Sequence, residues 1–470
     1  MTQPPESTPL LELTLTGMAA SGEATGAHPE TGKIVFVPDG LPGERVRARI
    51  TQERKRWARA QLEAVLQASP HRTTPPCPYF GPPQPVALPD GTLLNPRGEP
   101  RCAGCQWQHL DYPQQLEWKR RIVVDQLVRL GGLRPDGQGD LPLVEDVIAL
   151  GDPESPEEGA ILAYGYRTQM RFSLDRQGRL CLPARPDGTI PVDRCLLMAP
   201  ALDDLFQALS VDPETGAQLA RELTGVELAV GAPPEAEEGF QGLILLESRR
   251  GEGPELELDL PVSVLLRTPD GLEALVGDWG YRTDIGGQTF LVYPPQDASR
   301  TLLWPHRVGN EALAFIAGDL LAVQPYDELL DLWAGVGLFS VLLGPEVGLV
   351  LAVEEDELAF AALEQNLASL ENASAFRWPP GKALPDLVKE GYRATVAVLA
   401  PPKGGLDPAL FPAMAQMGVR RAAVVTDDLA GLARSLAGIQ ELGFGLVSVQ
   451  PVDLYPQTSQ VTVIALCHRS

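Results

Sequence analysis

The chain is expected to fold as three domains: a small OB-like β-barrel, an α+β central domain carrying a cysteine cluster, and a C-terminal α/β domain of Rossmann-like type. Three observations predict this. Short alternating strands crowd the first seventy residues, five of the six cysteines fall from Cys77 to Cys195, and helices alternate with apolar strands from Asn310 onward. The 470 residues, 44% hydrophobic and 21% charged, can fill several globular cores. The expected boundaries are 1–69, 70–300 and 301–470.

In the first domain Leu11 to Leu15 alternates like a strand and runs into Gly17, Gly22 and Gly26, which read as turns. Lys33 to Val37, Glu44 to Ile50 and Trp57 to Leu66 follow, separated by Pro-Asp-Gly and Pro-Gly signals, as in a small closed barrel. The net charge of −24 argues against nucleic acid covering the whole surface. Yet Arg45, Arg47, Arg49, Arg54, Lys55, Arg56 and Arg59 face one acid, Glu53, within fifteen residues, a local balance of 7 − 1 = +6. Alternation puts Arg45, Arg47 and Arg49 on one face of a strand, and Trp57 adds a stacking surface. An RNA contact is therefore expected here and nowhere broader.

The start, Met1-Thr2-Gln3-Pro4-Pro5-Glu6, lacks the cationic and apolar regions of a signal peptide, and no apolar run is long enough for a bilayer. A cytoplasmic location without membrane contact is expected. In a reducing compartment the six cysteines suit metal binding, catalysis or burial rather than a disulfide framework. The spacing Cys77-x24-Cys102-x2-Cys105-x89-Cys195 supplies four thiolates, three of them on Pro- and Gly-flanked loops. Four soft ligands suit tetrahedral zinc or a [4Fe-4S] cluster, and Cys181 can replace Cys195 as the fourth; plain burial competes with both.

After Cys105 a helix is expected from Pro113 to Leu130. The central domain then mixes strands (Arg171 to Leu174, Arg179 to Leu182, Gly242 to Glu247, Val262 to Arg267) with helices near Ala201 to Leu209 and Thr215 to Leu223. In the C-terminal domain Glu328 to Leu332, Leu349 to Val353, Ala394 to Leu399, Ala422 to Val425 and Val461 to Leu466 read as a parallel, doubly wound sheet. The run Asp331-Leu332-Trp333-Ala334-Gly335-Val336-Gly337 leaves its first strand and enters the apolar helix Phe339 to Leu343. Glycines there let backbone approach a ligand, and Glu354, ending the next strand, can accept ribose hydroxyls. Asp331, Gly335, Gly337 and Glu354 are the candidate cofactor residues.

Several stretches together resemble the RNA uracil-5-methyltransferase family. They are Gly32 to Pro38 with Leu41-Pro42-Gly43-Glu44, Cys102-Ala103-Gly104-Cys105-Gln106-Trp107-Gln108-His109, Tyr166-Arg167, Val192-Asp193-Arg194-Cys195, Asp331 to Ser340, and Pro451 to Thr458. The resemblance implies a TRAM domain, a [4Fe-4S] cluster held by Cys77, Cys102, Cys105 and Cys195, an S-adenosylmethionine domain, and a structured rRNA or tRNA as partner. No DNA partner is expected, and the chain is expected to be a monomer. Val86 to Pro100, around Pro89-Asp90-Gly91, reads as a hairpin inserted between the first two cysteines.

The family's chemistry adds a cysteine to uracil C6, so that C5 becomes nucleophilic, and a base later removes the C5 proton. In this chain Asp427 stands at the nucleophile position and Thr462 at the base position. A carboxylate is a weak nucleophile here and a threonine hydroxyl does not ionise near neutrality. Ala400 replaces an aspartate, Trp304 a glutamine, and Pro380 an acid that the family uses near adenine. No catalytic residue is therefore assigned. Asp427 and Asp428 read as an N-cap for a helix from Ala430 to Ile439, and Cys467 as a packed thiol. An RNA-binding protein without uracil chemistry is preferred over an active methyltransferase with altered residues, and both over an iron-sulfur redox carrier.

Overall fold

The computed structural model describes residues 10–80, 86–87, 93–94, 101–157, 159–185, 187–209, 213–232, 241–249, 261–297, 300 and 302–469. The chain divides into two compact units. One gathers the chain up to Ile122 with Cys181–Val192 and Tyr455–Gln460; the other gathers Val123–Leu180, Asp193–Leu454 and the segment from Val461 on.

The first unit contains a five-stranded barrel of β1 (Leu10–Met18), β2 (Ala24–Ala27), β3 (Ile34–Val37), β4 (Arg45–Glu53) and β5 (Trp57–Gln67). The strands run in the order β3-β2-β1-β4-β5, and a parallel β3–β5 pairing closes the ring. Closure leaves no edge among these five strands for another chain to pair with. Alternation does the rest: Leu13, Leu15, Val35, Val37, Val46, Ala48, Ala58, Ala60 and Leu62 fill the interior. The strand β2 was not expected, because Gly26 reads as a turn residue. Its place in the ladder explains the glycine, since a Cβ there would sit 2.4 Å from the Thr14 carbonyl oxygen.

The expected insertion is partly visible. Val86–Ala87 pairs antiparallel with Leu93–Leu94, which joins β5 at Ala64 and Val65, while the turn at Pro89-Asp90-Gly91 lies outside the described residues.

In the second unit a mixed sheet runs Gln169–Leu174, Leu223–Val230, Gly242–Ser248, Val262–Thr268, Gly271–Val276. Its pairings are antiparallel except between Gly242–Ser248 and Val262–Thr268. The helices Pro200–Ala208 and Pro213–Glu222 match the two expected there.

The same unit carries the doubly wound sheet. Its seven main strands are Glu328–Leu332, Leu349–Glu354, Ala373–Arg377, Val396–Leu399, Arg421–Thr426, Phe444–Asp453 and Thr462–Arg469, and their spatial order is third, second, first, fourth, fifth, seventh, sixth. The first five are parallel. The expectation of a wholly parallel sheet fails at one strand, since Thr462–Arg469 runs antiparallel to both its neighbours. The short link between Asp453 and Thr462 is the reason: a parallel crossover needs a dozen or more residues, and an antiparallel return does not. Leu330, Leu332, Leu351, Val353, Leu399, Val424 and Val463 are fully buried at the core of this sheet. Among the described residues no helix is long and apolar enough to cross a membrane.

Candidate active site

The chain order reverses between the first and fourth strands, where α/β sheets open a crevice at the carboxyl ends. A cavity of ≈ 400 Å³ lies there, built from the loops leaving the first, fourth and fifth strands. Trp333, Ala334 and Gly335 line one wall, Ala400 to Lys403 a second, and Thr426, Asp427 and Asp428 a third; Arg300 and Trp304 complete it. Its size falls within the range of small-ligand pockets.

The glycine loop folds as the spacing predicts. Gly335 (φ 58°) and Gly337 (φ 92°) both take left-handed backbone, which glycine adopts at least cost, and Gly337 caps the helix Leu338–Leu343. Trp333 also sits at φ 58°, an unusual conformation for a bulky residue and one that clusters at functional sites. Of the four candidate cofactor residues, Gly335 reaches the cavity wall. Asp331 lies behind it, wholly buried, with Oδ2 accepting from the Ser340 amide (3.1 Å) and hydroxyl (2.6 Å) and no partner on Oδ1. Burial pushes the Asp331 carboxyl up to about 6, against the pull of the Ser340 hydrogen bonds.

Glu354 is also fully buried and closes on the loop by accepting from the Gly335 amide at 2.9 Å. Arg300 grips the same carboxylate with two parallel bonds, Nη1 to Oε1 at 2.7 Å and Nη2 to Oε2 at 3.0 Å. Sequence reasoning missed Arg300. No local pattern marks it, because its partner is 54 residues away.

Three positions singled out in the sequence, Trp304, Asp427 and Thr462, meet in space. Trp304 Nε1 donates to Asp427 Oδ1 at 3.2 Å, and Thr462 Oγ1 donates to the same oxygen at 2.5 Å. The Trp304 backbone is clamped by the Asn310 side chain, which accepts from its amide and donates to its carbonyl, each at 2.9 Å. Asp428, by contrast, is the N-cap of the helix Leu429–Glu441: Oδ1 accepts from the Gly431 amide and Oδ2 from the Gly404 amide, both at 2.8 Å. Burial works the other way, but these two amides hold the Asp428 carboxyl below its ordinary range. The joint N-cap expectation is thus corrected: Asp428 caps, and Asp427 is turned toward Trp304 and Thr462. Pro380 is buried in the first turn of the helix Pro380–Lys389, where its lack of an amide proton costs nothing.

The basic strand shows its predicted alternation, with Val46 and Ala48 inward and Arg45, Arg47 and Arg49 on the outer face. Its charge is less available than the count suggests. Arg47 pairs with Glu12 (2.9 Å), Arg49 with Glu63 (3.0 Å) and Arg59 with Glu23 (2.8 Å). Arg54, Lys55 and Arg56 stand exposed on the turn between β4 and β5, and no ion pair among the described residues engages them. Trp57 packs edge-on against Phe36 with ring centroids 6.0 Å apart and is half-buried.

Cys77, Cys102, Cys105 and Cys181 belong to the first unit and Cys195 to the second. Cys102 ends a two-residue strand, not a loop, pairing opposite Ala184. The Arg185 guanidinium draws these segments together, donating to the carbonyls of Phe80, Cys102 and Cys105. Among the described residues no three His, Cys, Asp or Glu side chains stand close enough to hold a metal ion. Cys467 is wholly buried, and burial pushes its thiol up to about 12, which suits a packed residue.

Residues 11–62 match the TRAM domain model. An uncharacterized RNA methyltransferase of Streptomyces avermitilis is 30% identical, covering 96% of this chain and 96% of its own length. The 23S rRNA (uracil(1939)-C(5))-methyltransferase of Chromohalobacter salexigens is 28% identical over 97% of this chain and 89% of its own. The fold is shared with the tRNA (uracil-54, C5)-methyltransferase of Pyrococcus abyssi, solved with S-adenosyl-L-homocysteine, at a TM-score of 0.67 and 16% identity over 97% of this chain and all of that one.

Proposed function

Because the chain belongs to the RNA uracil-C5 methyltransferase family, we propose that it binds structured rRNA or tRNA through its barrel without methylating uracil C5 by the family's thiolate route. The observation that carries this reading is the hydrogen-bonded set of Asp427, Thr462 and Trp304. Asp427 offers a carboxylate where an addition to uracil C6 needs a thiolate, and one of its oxygens already accepts two hydrogen bonds. Thr462 holds its own proton on Asp427 and has no tendency to take another from carbon.

S-Adenosylmethionine, when bound, would supply an electrophilic methyl group. The cavity is large enough for such a nucleoside ligand, and Gly335 with the left-handed turn would let backbone approach it. Two features weaken the fit: Ala400 brings no carboxylate to the wall, and Glu354 is already saturated. The [4Fe-4S] assignment to Cys77, Cys102, Cys105 and Cys195 rests on the resemblance, with no gathered ligand set among the described residues, and has no part in this reading. We place the protein in the cytoplasm as a monomer.

Purified protein incubated with labelled S-adenosylmethionine and total RNA is expected to leave uracil C5 unlabelled. Label at C5 overturns the proposal, and label at another atom points to an active enzyme with different residues. Anaerobically purified protein, assayed for iron and acid-labile sulfide, tests the cluster separately.

A further inference from the structure

The carboxylate best placed to receive a nucleoside is taken. An ionised carboxylate offers about four lone-pair sites. Glu354 accepts five hydrogen bonds, from Arg300 Nη1 and Nη2, the Gly335 amide, the Glu355 amide (2.8 Å) and the Asp356 amide (2.7 Å). Three of these donors are backbone groups of the loop and of the turn after the strand, so they persist whatever binds. The two from Arg300 come from a side chain that also lines the cavity. Its side chain is 13% exposed, which puts it at the boundary between the buried acid and the open space.

We propose that Arg300 occupies the ribose seat on Glu354, so that a nucleoside ligand binds only by displacing it, and that this residue sets how weakly the cavity holds such a ligand. The inference rests on the reading of the cavity as a nucleoside site. Two vicinal hydroxyls and a guanidinium fork each present a pair of donors at comparable spacing, and both cannot bond one carboxylate edge at once. The observed affinity is then the intrinsic affinity divided by the fraction of molecules whose seat is open.

The experiment is isothermal titration of S-adenosyl-L-homocysteine into the full-length wild type and into Arg300→Ala, with Arg300→Gln as a second variant should the alanine protein fold poorly. Removing the fork is expected to tighten binding at least about tenfold, as for a seat open in roughly one molecule in ten. The gain is expected to disappear with the 2′,3′-dideoxy analogue, which a merely structural role for Arg300 would not produce. Measurable wild-type binding that is unchanged or weaker in both variants overturns the inference and leaves the nucleoside site standing. No binding to any of the three proteins removes the nucleoside site, and the inference with it.

Discussion

The turn between β4 and β5 and the floor of the cavity carry polar groups in opposite states. At the turn, Arg54, Lys55 and Arg56 project into solvent, and no acid among the described residues answers them. Around the cavity, Asp427 accepts from Trp304 and Thr462 and Asp428 from two amides, while Glu354, buried behind the wall, accepts from Arg300. Groups kept for a partner are left unsatisfied until it arrives, whereas groups that satisfy one another hold the fold together. On that criterion the exposed cations of the turn are free to meet a polyanion, whereas Asp427 and Asp428 are engaged within their own fold.

Asp331 is the exception on the cavity side, a buried acid with one oxygen unpartnered, and it should give the largest effect. Its carboxyl is raised to about 6 in the folded protein from an ordinary 3.8, so the native state binds the extra proton. Its contribution therefore favours folding near pH 4 and is lost as the pH rises toward and past 6, by up to about 3 kcal/mol. Urea denaturation across that window should show Asp331→Asn losing this slope relative to wild type. Parallel curves would place Asp331 in a wetter site than its burial indicates.

Next in size is the turn. Changing Arg54, Lys55 and Arg56 together to alanine removes up to three phosphate contacts, each worth about 0.7 to 0.9 in the slope of log affinity against log salt. RNA binding at moderate salt should fall by about 100-fold, and filter binding at several salt concentrations would reveal both changes. An unchanged slope would move the RNA site off the barrel.

Thr462→Val tests the floor more gently. It deletes the hydroxyl that donates to Asp427 and keeps the shape of a wholly buried strand residue, so a loss of about 1 kcal/mol in denaturant titration is expected. A loss near zero would mean that Asp427 takes its partner from solvent instead. Arg47→Ala should do least of all. Its pair with Glu12 is exposed on both sides, and its charge is already answered, so stability should shift by less than about 0.5 kcal/mol and RNA affinity by less than about threefold. A large effect on RNA would show that the pair opens to bind it.

Much of the architecture was legible before any coordinates. The barrel strands, the Arg45-Arg47-Arg49 face and the glycine loop follow from period-two alternation and from turn residues, which act within a few positions of chain. Misses came where a residue's local meaning was overruled. Gly26 was a strand residue because of a carbonyl across the ladder, and Phe444–Asp453 hid its strand character behind Pro451. Among the site residues, Asp427 and Asp428 looked equivalent, and only the direction of each side chain separated a helix cap from a partner of Trp304 and Thr462.

By itself, then, the sequence determined most of the succession of elements, the location of the glycine loop and the absence of a thiolate at position 427, because each depends on residue identity and short-range spacing. Tertiary structure alone decided which charges remain available. Arg47 meets Glu12, Arg300 meets Glu354 and Trp304 meets Asp427 across 35, 54 and 123 residues, and no local rule anticipates a pairing made by chain closure.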